Sequence, residues 1–324
     1  MKRISIASLV FVSLLVSFVT LAQEPAPVAT TNRVWLPKSD IFAHFTPRAK
    51  MRAVPPGTPT FNAKGMRAVK LPIDWAKSFV FPMLLNDQYG DCYYAAACHA
   101  DQTWQANSST ISVFSLSAVR TRYLALSHGD NGLSDNDIIG EWKGRGLADV
   151  PSAKIVDALL VDYKDANAVQ TAMDNFGAVM FTLAIPDSWL QQTATGSVWN
   201  APATPNQNNG HAVIFNGVDT AGKYKIQTWG TNLWITHAGV QVCNPETWVA
   251  FTTRWFNSAG YAPNGLHITD AAALWVSAGG RKIPQSIVTS FPPKTPPSTV
   301  TLTHITEWYS DGTSKKYPVG PMVP

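Results

Sequence analysis

Asn86-Asp87-Gln88-Tyr89-Gly90-Asp91-Cys92-Tyr93-Tyr94-Ala95-Ala96-Ala97-Cys98 joins a turn rich in Asn, Asp and Gly directly to a helix-forming run. The junction predicts that Cys92 falls in the first turn of a helix. There, unpaired backbone N–H groups and the positive end of the macrodipole favour thiolate over thiol, which lowers the thiol pKa and makes a nucleophile near neutral pH. Free cysteine is also among the most buried residue types and commonly packs as a small hydrophobe. Taken alone, Cys92 leaves both roles open, and the residues that decide between them lie far downstream.

Working outward, residues 1–22 have a basic start (Lys2, Arg3), an apolar run from Ile6 to Leu21, and small residues at Thr20 and Ala22. That pattern is a secretory signal peptide, too short and wrongly flanked for a lasting membrane span, and it predicts a secreted or periplasmic protein with no stable span after cleavage. The whole chain has 25 basic and 21 acidic residues. Without Lys2 and Arg3 the balance is nearly even, which argues against nucleic acid as a partner. Three cysteines are too few for a disulfide scaffold. They leave room for one bridge, Cys98 with Cys243, that would keep Cys92 free in an oxidising compartment.

Charge is unevenly spread. Residues 23–70 carry eight basic side chains (Arg33, Lys38, Arg48, Lys50, Arg52, Lys64, Arg67, Lys70) against Glu24 and Asp40, and seven prolines break any long helix. This leader reads in two ways: a solvated, partly disordered tail, or a segment lying across the body that shields a cleft until it is cut away. The body, 71–283, is mildly acidic.

Within the body, helices are expected from Cys92 to about Gln105, over 115–126, over 135–143 with Ser134 as N-cap, and over 165–176 ending at Gly177. The character then changes. Residues 178–185 read as a buried strand, 211–218 and 223–229 as a hairpin around Asp219-Thr220-Ala221-Gly222, and 248–252 as a further strand, with 189–209 a polar connection of no clear period. Helices first and strands second predict an α+β fold of two lobes with a groove between them. Residues 284–298 suit a proline-rich linker, and 299–324 an arm or hairpin.

A thiol nucleophile needs a base to take its proton and later protonate the leaving group, and histidine has a suitable pKa. Of seven histidines, His99 is excluded because it lies two helical turns from Cys92, on the order of 10 Å away. His211 differs from the others: Asn209-Gly210-His211 places it at the start of a strand, fixed by the apolar run that follows. A histidine so placed is often structural, and only its combination with Cys92 gives it chemical weight.

At this point the residues resemble the papain-like cysteine peptidases. Leu71-Pro72-Ile73-Asp74-Trp75 is similar to the mature start of that family, and Gly90-Asp91-Cys92-Tyr93 to its Gly-Ser-Cys-Trp turn. Gly177-Ala178-Val179 is similar to its Gly-Pro-Val strand, Gly210-His211-Ala212-Val213 to its Asn-His-Ala-Val strand, and Thr228-Trp229-Gly230-Thr231 to its Asn-Ser-Trp-Gly-Thr. The Asn-Asp-x-x-Gly-Asp-Cys turn looks most like a bacterial branch with this fold. The resemblance implies a two-lobe α+β fold, a peptide or protein substrate, no cofactor, and hydrolysis through an acyl-thioenzyme. It makes Cys92 the nucleophile, His211 the base and acid, Gln227 the residue that orients the imidazole in place of the family's Asn, and Trp229 their cover. Asn86 stands at the spacing of the family's oxyanion glutamine, while Gln88 is the right type at the wrong spacing; the Cys92 backbone N–H would be the second donor.

The chain departs from the family in lacking the half-cystines around the nucleophile turn and the long helical propeptide. Two site positions are substituted. Those departures keep two alternatives open: an inactive binding module on the same fold, and a Cys-His amidase or transferase.

Overall fold

The computed structural model describes residues 44–51, 57–77, 79–109 and 111–294, with the backbone of 304–308 and 314–318. The expected signal peptide, the first part of the leader and the end of the proline-rich linker lie outside the described residues.

The leader contributes a one-turn helix, α1 (Arg48–Met51), and is followed by a two-residue strand, β1 (Ile73–Asp74). Helix α2 (Cys92–Ser108) opens at the quoted turn, and every residue from Cys92 to Gln105 is buried. Its run of alanines lets neighbours approach on all sides, so it forms the centre of the body instead of an amphipathic surface helix. Helix α3 (Leu116–Leu126) is capped by Ser115, and α4 (Asp135–Gly144) by Ser134 in a capping box with Asp137. Each such cap contributes about 1 kcal/mol. Strand β2 (Asp157–Leu160) precedes α5 (Ala166–Phe176), which Asp165 caps and Gly177 stops at φ +84°. A Cβ at Gly177 would meet Trp255 and Trp104 at under 3 Å, so glycine is required there by both backbone and packing.

The second half holds β3 (Val179–Ala184), α6 (Asp187–Thr195), β4 (Gly210–Val218), β5 (Tyr224–Thr228), β6 (Thr231–Ile235), α7 (His237–Val242), β7 (Glu246–Phe251), α8 (Ile268–Ser277) and α9 (Gln285–Val288). Strands β8 (His304–Trp308) and β9 (Ser314–Pro318) pair antiparallel with each other. The main sheet runs β2-β7-β3-β4-β5-β6, with β1 added beside β4, and all its pairings are antiparallel. Strands β3 and β4 are buried along their whole length, which explains their nearly continuous apolar sequences. Helix α2 lies against β4, and Asn216 Nδ2 ties the two by donating to Thr103 Oγ1 at 3.2 Å. A layer of helices against an antiparallel sheet is the α+β arrangement the sequence predicted.

Two findings differ from expectation. The polar connection contains α6, of which only Trp189 and Thr193 are buried; one residue per turn is too narrow a stripe to show as a period. Cys98 and Cys243 are not bridged: all three cysteines are free and buried, Cys98 inside α2 and Cys243 at the end of α7. Of the two readings of the leader, a segment lying along the body fits Thr46, Arg48, Met51 and Phe61, which are buried, while most of residues 57–70 are exposed. Phe61 N–H donates to Leu160 O along the edge of β2, and Asn62 N–H donates to Ala278 O at 2.9 Å. Among the described residues, no helix is long and apolar enough to cross a membrane.

Candidate active site

Cys92 is the first residue of α2, and Asp91 holds the N-cap position without accepting a side-chain cap bond. The thiol sulfur meets the backbone N–H of Ala212 on β4. Helix α2 packs on β4, so Cys92 opens the helix that lies against the strand carrying His211; among the described residues no hydrogen bond joins the two side chains. Both are 2% exposed.

The imidazole is held from three sides. His211 Nε2 lies 2.6 Å from Thr228 Oγ1. Trp229 stacks on the ring with centroids 4.3 Å apart and planes 19° from parallel, and Phe45 of the leader meets it edge-on at 6.1 Å. Trp229 sits at φ +44°, a left-handed conformation rare for a bulky side chain, directly before Gly230 at φ +64°. Trp199 backs it at 6.3 Å and stacks on Trp189 at 5.1 Å, so the strained indole is fixed by a column of aromatic rings. In the tautomer whose Nε2–H donates to Thr228, Nδ1 is the atom free to take a proton.

The partner of His211 is thus not the one expected. Gln227 Nε2 donates to Thr231 O at 2.8 Å, inside the tight connection between β5 and β6, and its Oε1 is buried without a hydrogen-bond partner among the described residues. Successive strand residues face opposite sides of the sheet, so Gln227 and Thr228 cannot both reach the imidazole. Thr228 stood in the quoted Thr-Trp-Gly stretch, and its hydroxyl next to the covering tryptophan was the signal available in the sequence. Asn86 is buried and its Nδ2 donates to Asp91 Oδ1 at 3.3 Å, leaving its second amide hydrogen uncommitted. Gln88 lies in the same turn, with its N–H donating to Leu85 O.

The electrostatics also depart from the sequence reading. Burial pushes the Cys92 thiol up to about 12, with only a smaller lowering from the Ala212 N–H and a further rise from Asp91. Burial likewise takes His211 down to about 3. Desolvation outweighs the helix terminus here, so thiol and imidazole are both neutral as they stand. The excluded histidine, His99, bonds Pro82 O at 2.8 Å and is structural.

Part of the leader lies along this region. Thr46 forms an antiparallel bridge with Gly210, immediately before His211, and Arg48 N–H donates to Gln207 O at 2.8 Å. On the helical side, a Cβ on Gly132 would stand 2.1 Å from Thr46 Oγ1, and one on Gly210 would stand 2.1 Å from Thr46 O. The two glycines make a slot one backbone wide, and residues 44–48 run through it. Beside the segment a recess of about 370 Å³ stays open, lined by His44, Lys50, Gly90, Asp130 and Gly132.

No protein-family model and no curated protein sequence matches the chain. Solved structures do. Xylellain, a cysteine protease from Xylella fastidiosa, superposes with a TM-score of 0.51 over 64% of this chain and 96% of its own, at 14% identity. The Amb a 11 cysteine protease, a major ragweed pollen allergen, in its proform, superposes with a TM-score of 0.50 over 67% of this chain and 79% of its own, at 13% identity. At such identities the likeness concerns the fold, and the chain has the fold of the papain-like cysteine proteases.

Proposed function

We propose that this chain is a secreted or periplasmic cysteine peptidase whose N-terminal segment covers its own cleft. The observation that carries the reading is the packing of the helix that Cys92 opens against the strand of His211, whose imidazole Thr228 and Trp229 hold in place. His211 takes the thiol proton as sulfur bonds to the scissile carbonyl carbon. That proton passes to the departing amine as the C–N bond breaks, and water, deprotonated by the imidazole, then releases the acid and restores the thiol. The Cys92 N–H, one of the free donors of the helix start, and the Asn86 amide are the donors for the developing oxyanion.

Peptidyl-aminocoumarin substrates test this directly. Fluorophore release that disappears in Cys92→Ser and His211→Ala is expected, strongest once the leader is displaced. Release unchanged in both variants, or none from a leader-displaced chain, would end the assignment. The raised thiol pKa favours a second reading, a binding module with no turnover. That reading predicts slow Cys92 labelling whether or not Phe45 is present.

A further inference from the structure

The turn before the nucleophile buries a carboxyl that the proton transfers between Cys92 and His211 leave idle. Asp91, the residue before Cys92, is 0% exposed. Its Oδ1 accepts from Asn86 Nδ2 at 3.3 Å, and its Oδ2 is buried with no hydrogen-bond partner among the described residues. An aspartate at a helix N-cap ordinarily accepts from a free N–H two or three residues on. Asp91 holds that position on α2 and makes no such bond. Its one side-chain hydrogen bond goes to an amide five residues upstream instead.

Asn86 depends on that bond. The residue is 5% exposed, and its side chain makes no other hydrogen bond among the described residues. A terminal amide carries two donors on one edge and an acceptor on the other. Unheld, it can turn either edge toward a neighbour, and a carbonyl oxygen facing a developing oxyanion would repel the charge that an N–H stabilises. The bond to Asp91 Oδ1 fixes the NH2 edge and commits one amide hydrogen. The second stays available as a donor.

We propose that Asp91 is a positioning residue of this site, an uncharged carboxyl that holds the Asn86 amide so that its second hydrogen serves the oxyanion formed when sulfur attacks. The inference rests on the peptidase reading for the origin of that oxyanion. Its surroundings keep Asp91 uncharged. Burial raises its carboxyl well above the usual range, the Asn86 bond lowers it less, and Asp130 and Asp87 raise it further. The other titratable groups that face it, Cys92 and Cys98 of α2, carry no positive charge, and the leader's His44 reaches Asp130 Oδ2 at 4.0 Å. Oδ2, which no donor reaches, is the oxygen left for the acid proton. A neutral carboxyl still accepts a hydrogen bond through its carbonyl oxygen. An ionised one would act against negative charge beside it, as its raising effect on the Cys92 thiol shows. Asp91 therefore sets an upper pH limit on the site: its contribution is present while the carboxyl holds its proton and is lost as pH rises through the folded value.

The test uses the full chain carrying Phe45→Ala, which opens the region, and an acetylated tripeptide aldehyde with 13C at the aldehyde carbon. Sulfur adds to that carbon, the carbonyl electron pair moves to oxygen, and NMR reads the adduct without any turnover. Asn86→Ala and Asp91→Ala should each weaken adduct formation by about tenfold or more. The double variant should be no weaker than Asn86→Ala alone, because Asp91 acts through that amide. Asp91→Asn keeps an accepting oxygen and cannot ionise. It should recover most of the Asp91→Ala loss, and it should remove the decline in adduct formation that ionisation of Asp91 causes at alkaline pH, a readout that a merely structural role would not move. The pH comparison of the parent with Asp91→Asn decides the case even where Asp91→Ala fails to fold. Additive losses in the double variant, or coincident pH profiles for the parent and Asp91→Asn, would overturn the proposal and leave the peptidase reading standing. No adduct in any chain, together with no release from peptidyl-aminocoumarin, would end both.

Discussion

The two walls of the cleft are built on different principles. On the sheet wall, His211 is fixed by strand register, a threonine hydroxyl and a column of indoles that starts at Trp229. On the helix wall, Cys92 follows a turn held by polar contacts: Asn86 Nδ2 donates to Asp91 Oδ1, and Gly90 N–H donates to Asp130 Oδ1 at 2.9 Å. The sheet wall holds its base rigidly and apart from solvent, while the helix wall holds its nucleophile in a polar turn that backs onto the leader. Yet both walls favour the neutral form of their titratable groups. Burial raises Asp91 well above the usual carboxylate range and lowers His211, two shifts of opposite sign from one cause. The leader runs beside both walls at Gly210 and Gly132, so its removal is the way to compare them.

Breaking the sheet wall has the largest expected effect. His211→Ala removes the base and should lower peptide turnover by about 10²–10⁴-fold, the usual contribution of general acid–base catalysis. Opening the cover comes next. Phe45→Ala takes away the ring that meets His211 edge-on and should open this region to water. Each unit by which the Cys92 pKa falls gives about tenfold more thiolate, so alkylation of Cys92 at neutral pH should rise by at least that factor, as read by mass spectrometry of the labelled peptide.

A subtler comparison separates neighbours on β5. Thr228→Val leaves the imidazole nitrogen without its partner, at a cost of about 1–3 kcal/mol, and should lower kcat by about tenfold with KM little changed. Gln227→Leu should instead lower the urea midpoint, because its amide closes the turn to Thr231, and should leave the pH profile of turnover alone.

The smallest effects are on stability against pH, and there the two walls move in opposite directions. A histidine whose folded pKa is lowered to about 3 contributes stability that is present above its unfolded value near 6.5 and is lost as pH falls toward 3. His211→Gln should flatten that acid loss, leaving the part due to His99, which burial lowers to about 4. For Asp91 the sign reverses. Its raised folded pKa gives stability that is full below about pH 4 and falls as pH rises through the folded value. Asp91→Asn should flatten this decline, and urea midpoints from pH 3 to 9 check both.

Much of this arrangement was legible in the sequence because it is local. The helix start at Cys92, the Ser134 N-cap, the stop at Gly177 and the buried runs of β3 and β4 each rest on a few adjacent residues with one physical reading. What was not legible is what depends on distance. Gln227 was assigned by spacing, but a strand's alternation gives its neighbour Thr228 the imidazole. The thiol pKa was read from the helix terminus, and burial reverses its direction. Composition left two readings of the leader open; Glu246, which pairs with Arg48, comes from strand β7, far along the chain.

The central claim is that Cys92 and His211 act as a nucleophile and its base across this cleft. The rate of Cys92 alkylation by iodoacetamide, followed from pH 4 to 10 in the full Phe45→Ala chain with and without His211→Ala, tests it most directly. The account predicts that His211 brings the midpoint of labelling well below the ordinary thiol value of about 8.5, and that His211→Ala returns it to or above that value and slows labelling at pH 7 by about tenfold or more. Superimposable profiles for the two chains would contradict it.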